Sequence, residues 1–189
     1  VAPNVTIMPV RVLGQDGGNV AAILAGVCYA ANLNKSNGAG KDICNNTISA
    51  AVAADIINLS LGGPDISDIE QAVYNAVADL GIIIIAAAGN QATSEAFYPA
   101  AYNNVISVAA VSQQSEKSSY SNFASLAAGS KIDVAAPGGD FTVDSGVVST
   151  LGDDSRGSIE SSYGSLQGTS MAAPHVAGVA ALMKSAKPD

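Results

Sequence analysis

Residues 81–87 read Gly-Ile-Ile-Ile-Ile-Ala-Ala, with no polar residue alternating among them. A strand with one face in water alternates, so a run of this kind belongs to a strand covered on both faces, as in a parallel sheet. Four other runs rich in β-branched and aliphatic residues share the character, and the five are Val5–Leu13, Ile56–Leu61, Gly81–Ala87, Val105–Val111 and Ile132–Ala135. Helical patterns fall between the first three. Asn19 is placed to cap a helix through Ile23, Leu24, Val27 and Ala31, and a second helical stretch covers Thr47–Ala54. Ser67 and Glu70 have capping-box spacing, the helix after them puts Ile69, Ala72, Val73, Ala76, Val77 and Leu80 on one stripe, and Gly81 ends it. Strand and helix in alternation predict a three-layer α/β fold around a mostly parallel central sheet.

Composition sets the packing. Hydrophobic residues make up 48% of the 189 but aromatics only 5%, so the core must be Ala, Val, Ile and Leu in close contact. That length fits one domain, and no linker or repeat divides it. The net charge of -8, with 8 scattered Lys and Arg, argues against a nucleic-acid or anionic-membrane partner. No apolar run approaches the length of a membrane span. The chain opens on Val1 and is still helical in pattern when Pro188 and Asp189 close it, so it reads as a piece of a longer protein. Cys28 and Cys44 bracket a polar stretch, which suits a disulfide tying off a surface loop in an exported protein, although two buried thiols fit the same spacing.

After Val111 the chain is rich in Ser, Asn, Gly and Asp until a last helix, which opens on Gly168-Thr169-Ser170-Met171-Ala172-Ala173-Pro174-His175-Val176-Ala177-Gly178. Its small and apolar residues run almost all round, which predicts a central, buried helix. Pro174 fixes its start close to Ser170. A serine there sits at the positive end of a helix, yet a hydroxyl attacks a carbonyl well only when a neighbouring group takes its proton. His175 is the one histidine of the chain. Five residues on, it is turned roughly 140° from Ser170 and about 7.5 Å along the axis, so it is a poor base for that serine. Lys184 fares no better at about 21 Å.

In open parallel sheets the ligand crevice lies beyond the carboxyl ends of the strands. Two strands run into informative tails there, Asn58-Leu59-Ser60-Leu61-Gly62-Gly63 and Ala86-Ala87-Ala88-Gly89-Asn90. Glycines after a strand admit another backbone, and an asparagine in the loop beyond can aim its amide at a bound oxygen. Either tail alone is weak, since glycines after strands are usually turns.

The order of Asn-Leu-Ser-Leu-Gly-Gly, Ala-Ala-Gly-Asn, Tyr-Pro-Ala, Ala-Pro-Gly and the Gly168–Gly178 motif resembles the subtilisin-like serine endopeptidases, the subtilases, over nearly the whole chain. The resemblance implies a subtilisin-like fold, truncated on its amino-terminal side, with 1–189 a partial peptidase domain. It implies that Ser170 is the nucleophile and Asn90 the oxyanion donor. Ser60, Leu61 and Gly62 would pair with the substrate backbone as an added strand, and Ala87, Ala88 and Gly89 would wall the primary specificity pocket. Polypeptide is the implied substrate, and a disulfide between Cys28 and Cys44 would make secretion the expected destination.

The family's Asp-Thr-Gly-like and His-Gly-Thr-His-like motifs are not in this sequence. The resemblance puts them before Val1, together with a main calcium site, so calcium is a candidate ligand of the longer protein and no metal or other cofactor is assigned to this chain. An absent amino-terminal segment is then needed for activity, and the chain alone is expected to be nearly inactive. His175 takes the part of a buried structural residue. Tyr98-Pro99 resembles a family turn with a cis proline. Phe97 before it either occupies the pocket floor, where many subtilases carry glycine, and makes the pocket shallower, or stands outside it on the short loop from Asn90. Asp140, Asp144, Asp153 and Asp154 lie in loops without the regular spacing of a calcium loop and read as solvated turn carboxylates. Gly40-Lys41 lacks the first glycine and the hydroxyl residue of a phosphate loop. The alternative reading is a degenerate module that binds peptides without cutting them, and the joint presence of Ser170 and Asn90 weighs against it.

Overall fold

The computed structural model describes residues 1–33, 44, 50–153 and 160–188. At its centre β1 (Ile56–Leu59), β2 (Ile83–Ala87), β3 (Val105–Val111) and β4 (Val134–Pro137) form an all-parallel sheet in chain order. Successive side chains of a strand point to opposite faces, and here each face has its own apolar core. Ile57, Leu59, Ile84, Ala86 and Val105 pack with Val27 of α1 (Val20–Ala30) and with Val73 and Val77 of α2 (Asp68–Asp79). Ile85, Ala87, Val108, Ala110 and Ala136 pack with Ala172 and Ala173 of α3 (Thr169–Ala186). The result is the three-layer α/β arrangement expected. Neither alanine of α3 has any exposed surface, and their small size lets the helix backbone lie close on the strands.

The helix signals act as the chemistry dictates. Asn19 accepts the Ala22 backbone N–H at 2.8 Å. Ser67 Oγ accepts the Glu70 N–H, but Glu70 does not reach back to Ser67 directly. The Tyr102 hydroxyl stands between them, accepting from Ser67 N at 2.7 Å and donating to Glu70 Oε2 at 2.9 Å. Gly81, with φ +76°, donates to Ala78 O and ends α2.

Several expectations are corrected. Residues 5–13 form no strand and belong to no sheet of the described residues, and Val5, Ile7 and Leu13 are exposed. Strand propensity there lacks a neighbour to hydrogen-bond. Of the helix expected over Thr47–Ala54, residues 47–49 lie outside the described residues and 50–54 are not helical. Ile69, expected on the buried stripe, is 63% exposed, because it sits in the first turn of α2 beyond the reach of the sheet. The last helix is covered on its sheet side only: Val179, Leu182 and Met183 are exposed on the other. A hairpin went unanticipated, β5 (Val147–Asp153) against β6 (Glu160–Leu166), since its Ser- and Gly-containing strands carry little apolar pattern. Cys28 and Cys44 are bonded, with Cα atoms 5.8 Å apart and both residues in the α1/α2 core. Asp154 lies outside the described residues.

Candidate active site

The carboxyl ends of β1 and β2 and the amino end of α3 meet at one cleft. The chain leaves β1 into Ser60, Leu61 and Gly62 and leaves β2 into Ala88, Gly89 and Asn90, while α3 brings Thr169 and Ser170. Leu61, Gly62, Ala87, Gly89, Asn90, Phe97, Thr169 and Ser170 line a cavity of about 200 Å³. Ala88 stands behind the wall, buried, donating to Val108 O and accepting from Asn122 Nδ2. A larger cavity of about 380 Å³ lies elsewhere, beside the Lys184–Asp55 ion pair, and has no serine, threonine or cysteine in its lining.

Gly168 precedes α3 with φ +151°, a conformation that favours glycine, and so it offers no side chain to cap the helix. Asn90 does that from another loop. Its Oδ1 accepts from Thr169 N at 2.8 Å and from Thr169 Oγ1 at 2.9 Å. A backbone N–H can only donate, so the amide oxygen must be the atom facing it and Nδ2 is turned the other way. Thr169 Oγ1 in turn accepts from Gly89 N at 3.2 Å. Beyond the capped Thr169 N–H, the donors of Met171 and Ala172 go to Gly168 O, and the Ser170 N–H has no partner among the described residues. Two N–H donors, Asn90 Nδ2 and Ser170 N, are thereby left without a partner among the described residues, on two residues that line the cavity.

Ser170 is tied to the β1 tail. Its hydroxyl donates to Ser60 O at 3.3 Å, a long bond, while its carbonyl accepts from Ser60 Oγ at 2.8 Å. Pro174 explains the second contact. An α-helical carbonyl normally accepts from the residue four ahead, and for Ser170 that residue has no N–H. The Ser170 carbonyl is therefore open to Ser60, whose Oγ also accepts from Asn58 Nδ2 at 3.0 Å.

His175 is half-buried rather than buried, and its Nδ1 lies 2.8 Å from Met171 O on its own helix. It makes no hydrogen bond to Ser170. Thr169, Asn122 and the Ser170 backbone N–H were not anticipated from sequence. Asn122 is buried and pins the β2 tail, with Oδ1 accepting from Gln91 N and Thr93 N and Nδ2 donating to Ala88 O. A single asparagine in a Ser-rich stretch gives no sign of this. Tyr98-Pro99 is cis.

The loop carboxylates are not metal-ready. Asp140 is buried rather than solvated, and its oxygens accept from Ser119 N, Thr142 N and the Thr142 hydroxyl. The Ser119 N–H first, then the Thr142 hydroxyl, hold it well below the usual carboxylate range. Asp144 accepts from Asp140 N, Gln113 N and Gly146 N, which likewise lower its pKa. Donor protons converge on both groups where a cation would need bare oxygens, so they do not fit a calcium ion. Among the described residues no three His, Cys, Asp or Glu side chains are grouped to hold a metal.

The family model described as the subtilase family matches residues 1–189. The chain belongs to the subtilase family. Among subtilases it is 38% identical over 193 residues to the major intracellular serine protease of Bacillus subtilis (strain 168), a match covering 98% of this chain and 49% of that protein. It is 40% identical over 184 residues to an extracellular protease of Xanthomonas campestris pv. campestris, covering 96% of this chain and 28% of that one. A solved structure of a protease from Pseudoalteromonas arctica superposes with a TM-score of 0.79 at 40% identity, over 95% of this chain and 50% of that chain. This subtilase chain thus spans half or less of the length of these relatives.

Proposed function

We propose that the protein is a serine endopeptidase in which Ser170 is the nucleophile and Asn90 Nδ2 and Ser170 N–H receive the oxyanion. The reading is carried by the cleft itself: a serine hydroxyl on a helix amino end shares one cavity with two N–H donors, one of them aimed by the bonds Thr169 makes to Asn90 Oδ1. Such preformed donors favour the tetrahedral intermediate over the flat carbonyl without reorganising during the reaction. Ser60, Leu61 and Gly62 line the edge on which an extended peptide adds as a strand. Ala87 and Gly89, with Ala88 behind them, wall the pocket for the side chain next to the attacked carbonyl.

In this mechanism Ser170 Oγ attacks the scissile carbonyl, and its proton passes to a histidine oriented by an aspartate. The carbonyl oxygen becomes the oxyanion held by Asn90 and Ser170 N–H. Its collapse expels the amine, which takes the proton from the histidine, and leaves an acyl-enzyme that water hydrolyses by the same route. His175 does not serve, being held to its own helix. The histidine and aspartate come from polypeptide outside this partial peptidase domain. The Cys28–Cys44 bond fits export, so the protein is read as secreted, and calcium is a candidate ligand of the longer protein.

The test is the full-length protein against its Ser170→Ala variant. Hydrolysis of casein and labelling by a fluorophosphonate are both expected in the first and absent in the second. Equal hydrolysis by the two would overturn the assignment.

A further inference from the structure

The ring of Phe97 closes the cleft from below. A Cβ placed on Gly62 would lie 2.5 Å from Phe97 Cε1 and 3.0 Å from Cδ1, and one placed on Gly89 would lie 3.0 Å from Phe97 Cγ. The ring therefore spans the two glycine walls, touching the β1 tail with one edge and the β2 tail with its root. No side chain on either wall has room beside it.

Its position is fixed by backbone rather than by loop accident. Tyr98 N donates to Gly63 O and Gly63 N to Tyr98 O, both at 2.8 Å, which staples the Phe97 loop to the β1 tail. On the other side Ala101 N donates to Phe97 O at 2.9 Å, and Ala100 is buried. Tyr98 packs against Tyr102 with ring centroids 4.6 Å apart and planes tilted by 45°. Swinging the ring out would break these contacts together.

What remains open is about 200 Å³, and it includes the space over Ser170 and Asn90. The limit is set by the ring and not by this volume, since Phe97 occupies the gap between the Gly62 and Gly89 walls into which a longer side chain would extend. A carbonyl carbon at Ser170 Oγ with its oxygen toward Asn90 directs the side chain of the same residue into this space.

We infer that Phe97 sets the specificity of the site, restricting the residue that supplies the attacked carbonyl to Gly, Ala or Ser. The inference rests on the endopeptidase reading for which bond is cut, but not for which side chain fits. The substrates are polypeptides cleaved after small residues. Larger side chains are excluded by the ring and not by charge, so the preference does not vary with pH.

The experiment uses the full-length protein and tetrapeptide p-nitroanilides that differ only in a last residue of Ala, Leu or Phe. The wild type is expected to favour Ala over Phe by at least tenfold in kcat/KM. Phe97→Gly is expected to reverse that order, and Phe97→Val to give an intermediate ratio without emptying the floor. The same order is read independently of catalysis by calorimetric binding of the matching peptide acids to Ser170→Ala and to Ser170→Ala with Phe97→Gly. If no anilide is cleaved while peptide acids bind in the predicted order, the protease reading falls and the pocket assignment stands. A wild type that takes Phe as well as Ala, or a ratio unmoved by both Phe97 substitutions, overturns it.

Discussion

The amide oxygen of Asn90 accepts both the backbone N–H and the hydroxyl of Thr169, at 2.8 and 2.9 Å. One side chain thereby caps α3 and has its own amide nitrogen aimed at the cleft. Replacing Asn90 by Ala removes the donor, and the expected loss in kcat is on the order of 10²–10³, as measured for this deletion in a subtilisin, with KM little changed. Thr169→Val removes one of the two bonds fixing the amide and is expected to lower kcat less than Asn90→Ala. Steady-state kinetics on the full-length protein decide both, and an Asn90→Ala variant with unchanged kcat would mean that Asn90 is not the donor.

Pro174 shapes the site by what it lacks. Pro174→Ala restores an N–H that competes with Ser60 Oγ for the Ser170 carbonyl, weakening an interaction worth about 0.5–1.5 kcal/mol. We expect kcat to fall several-fold while Tm does not fall, because the helix regains a bond. A lower Tm with unchanged kcat would contradict this.

Burial holds the Glu70 carboxyl above its ordinary value of 4.5, and the Tyr102 hydroxyl partly opposes this. The folded chain then binds that proton more tightly than the unfolded chain does. The contribution is full below pH 4.5 and is lost as pH rises through the folded value. Tyr102→Phe strips the donor from a buried carboxylate and the acceptor from Ser67 N, at a cost of about 1–3 kcal/mol at pH 8. Urea unfolding at pH 8 and pH 4 is expected to show a smaller penalty at pH 4, and an equal one at both would refute the coupling.

Asp140 has the opposite sign. Its lowered pKa means a contribution present above the ordinary value of 3.8 and lost as pH falls through the folded value. Asp140→Asn is expected to lower Tm at pH 7, with the gap narrowing below pH 3.8. A gap that widens in acid would exclude the assignment.

Sequence patterning located what depends on local chemistry. Asn19, Ser67 and Gly81 delimit helices through their own side chains or φ, and Ile83–Ala87 and Val105–Val111 lack alternation because both sheet faces are covered. Ser170 and Asn90 were legible as part of a family motif, but their mutual geometry was not. That geometry depends on Thr169 and Asn122, whose roles arise only when loops distant in sequence are brought together. Residues 5–13 and α3 mark the other limit. Apolar pattern reports the capacity to be buried, and whether it is used depends on what packs against it.

The central claim is that this chain holds nucleophile and oxyanion donors while its base comes from elsewhere. The most direct measurement is peptide hydrolysis by the isolated, purified 189-residue chain against the full-length protein. Removing the histidine of a subtilisin costs about 10⁶ in turnover, and a deficit of that order is expected for the isolated chain. Turnover within about a hundredfold of the full-length protein would contradict the account, since a base would then have to lie within these residues.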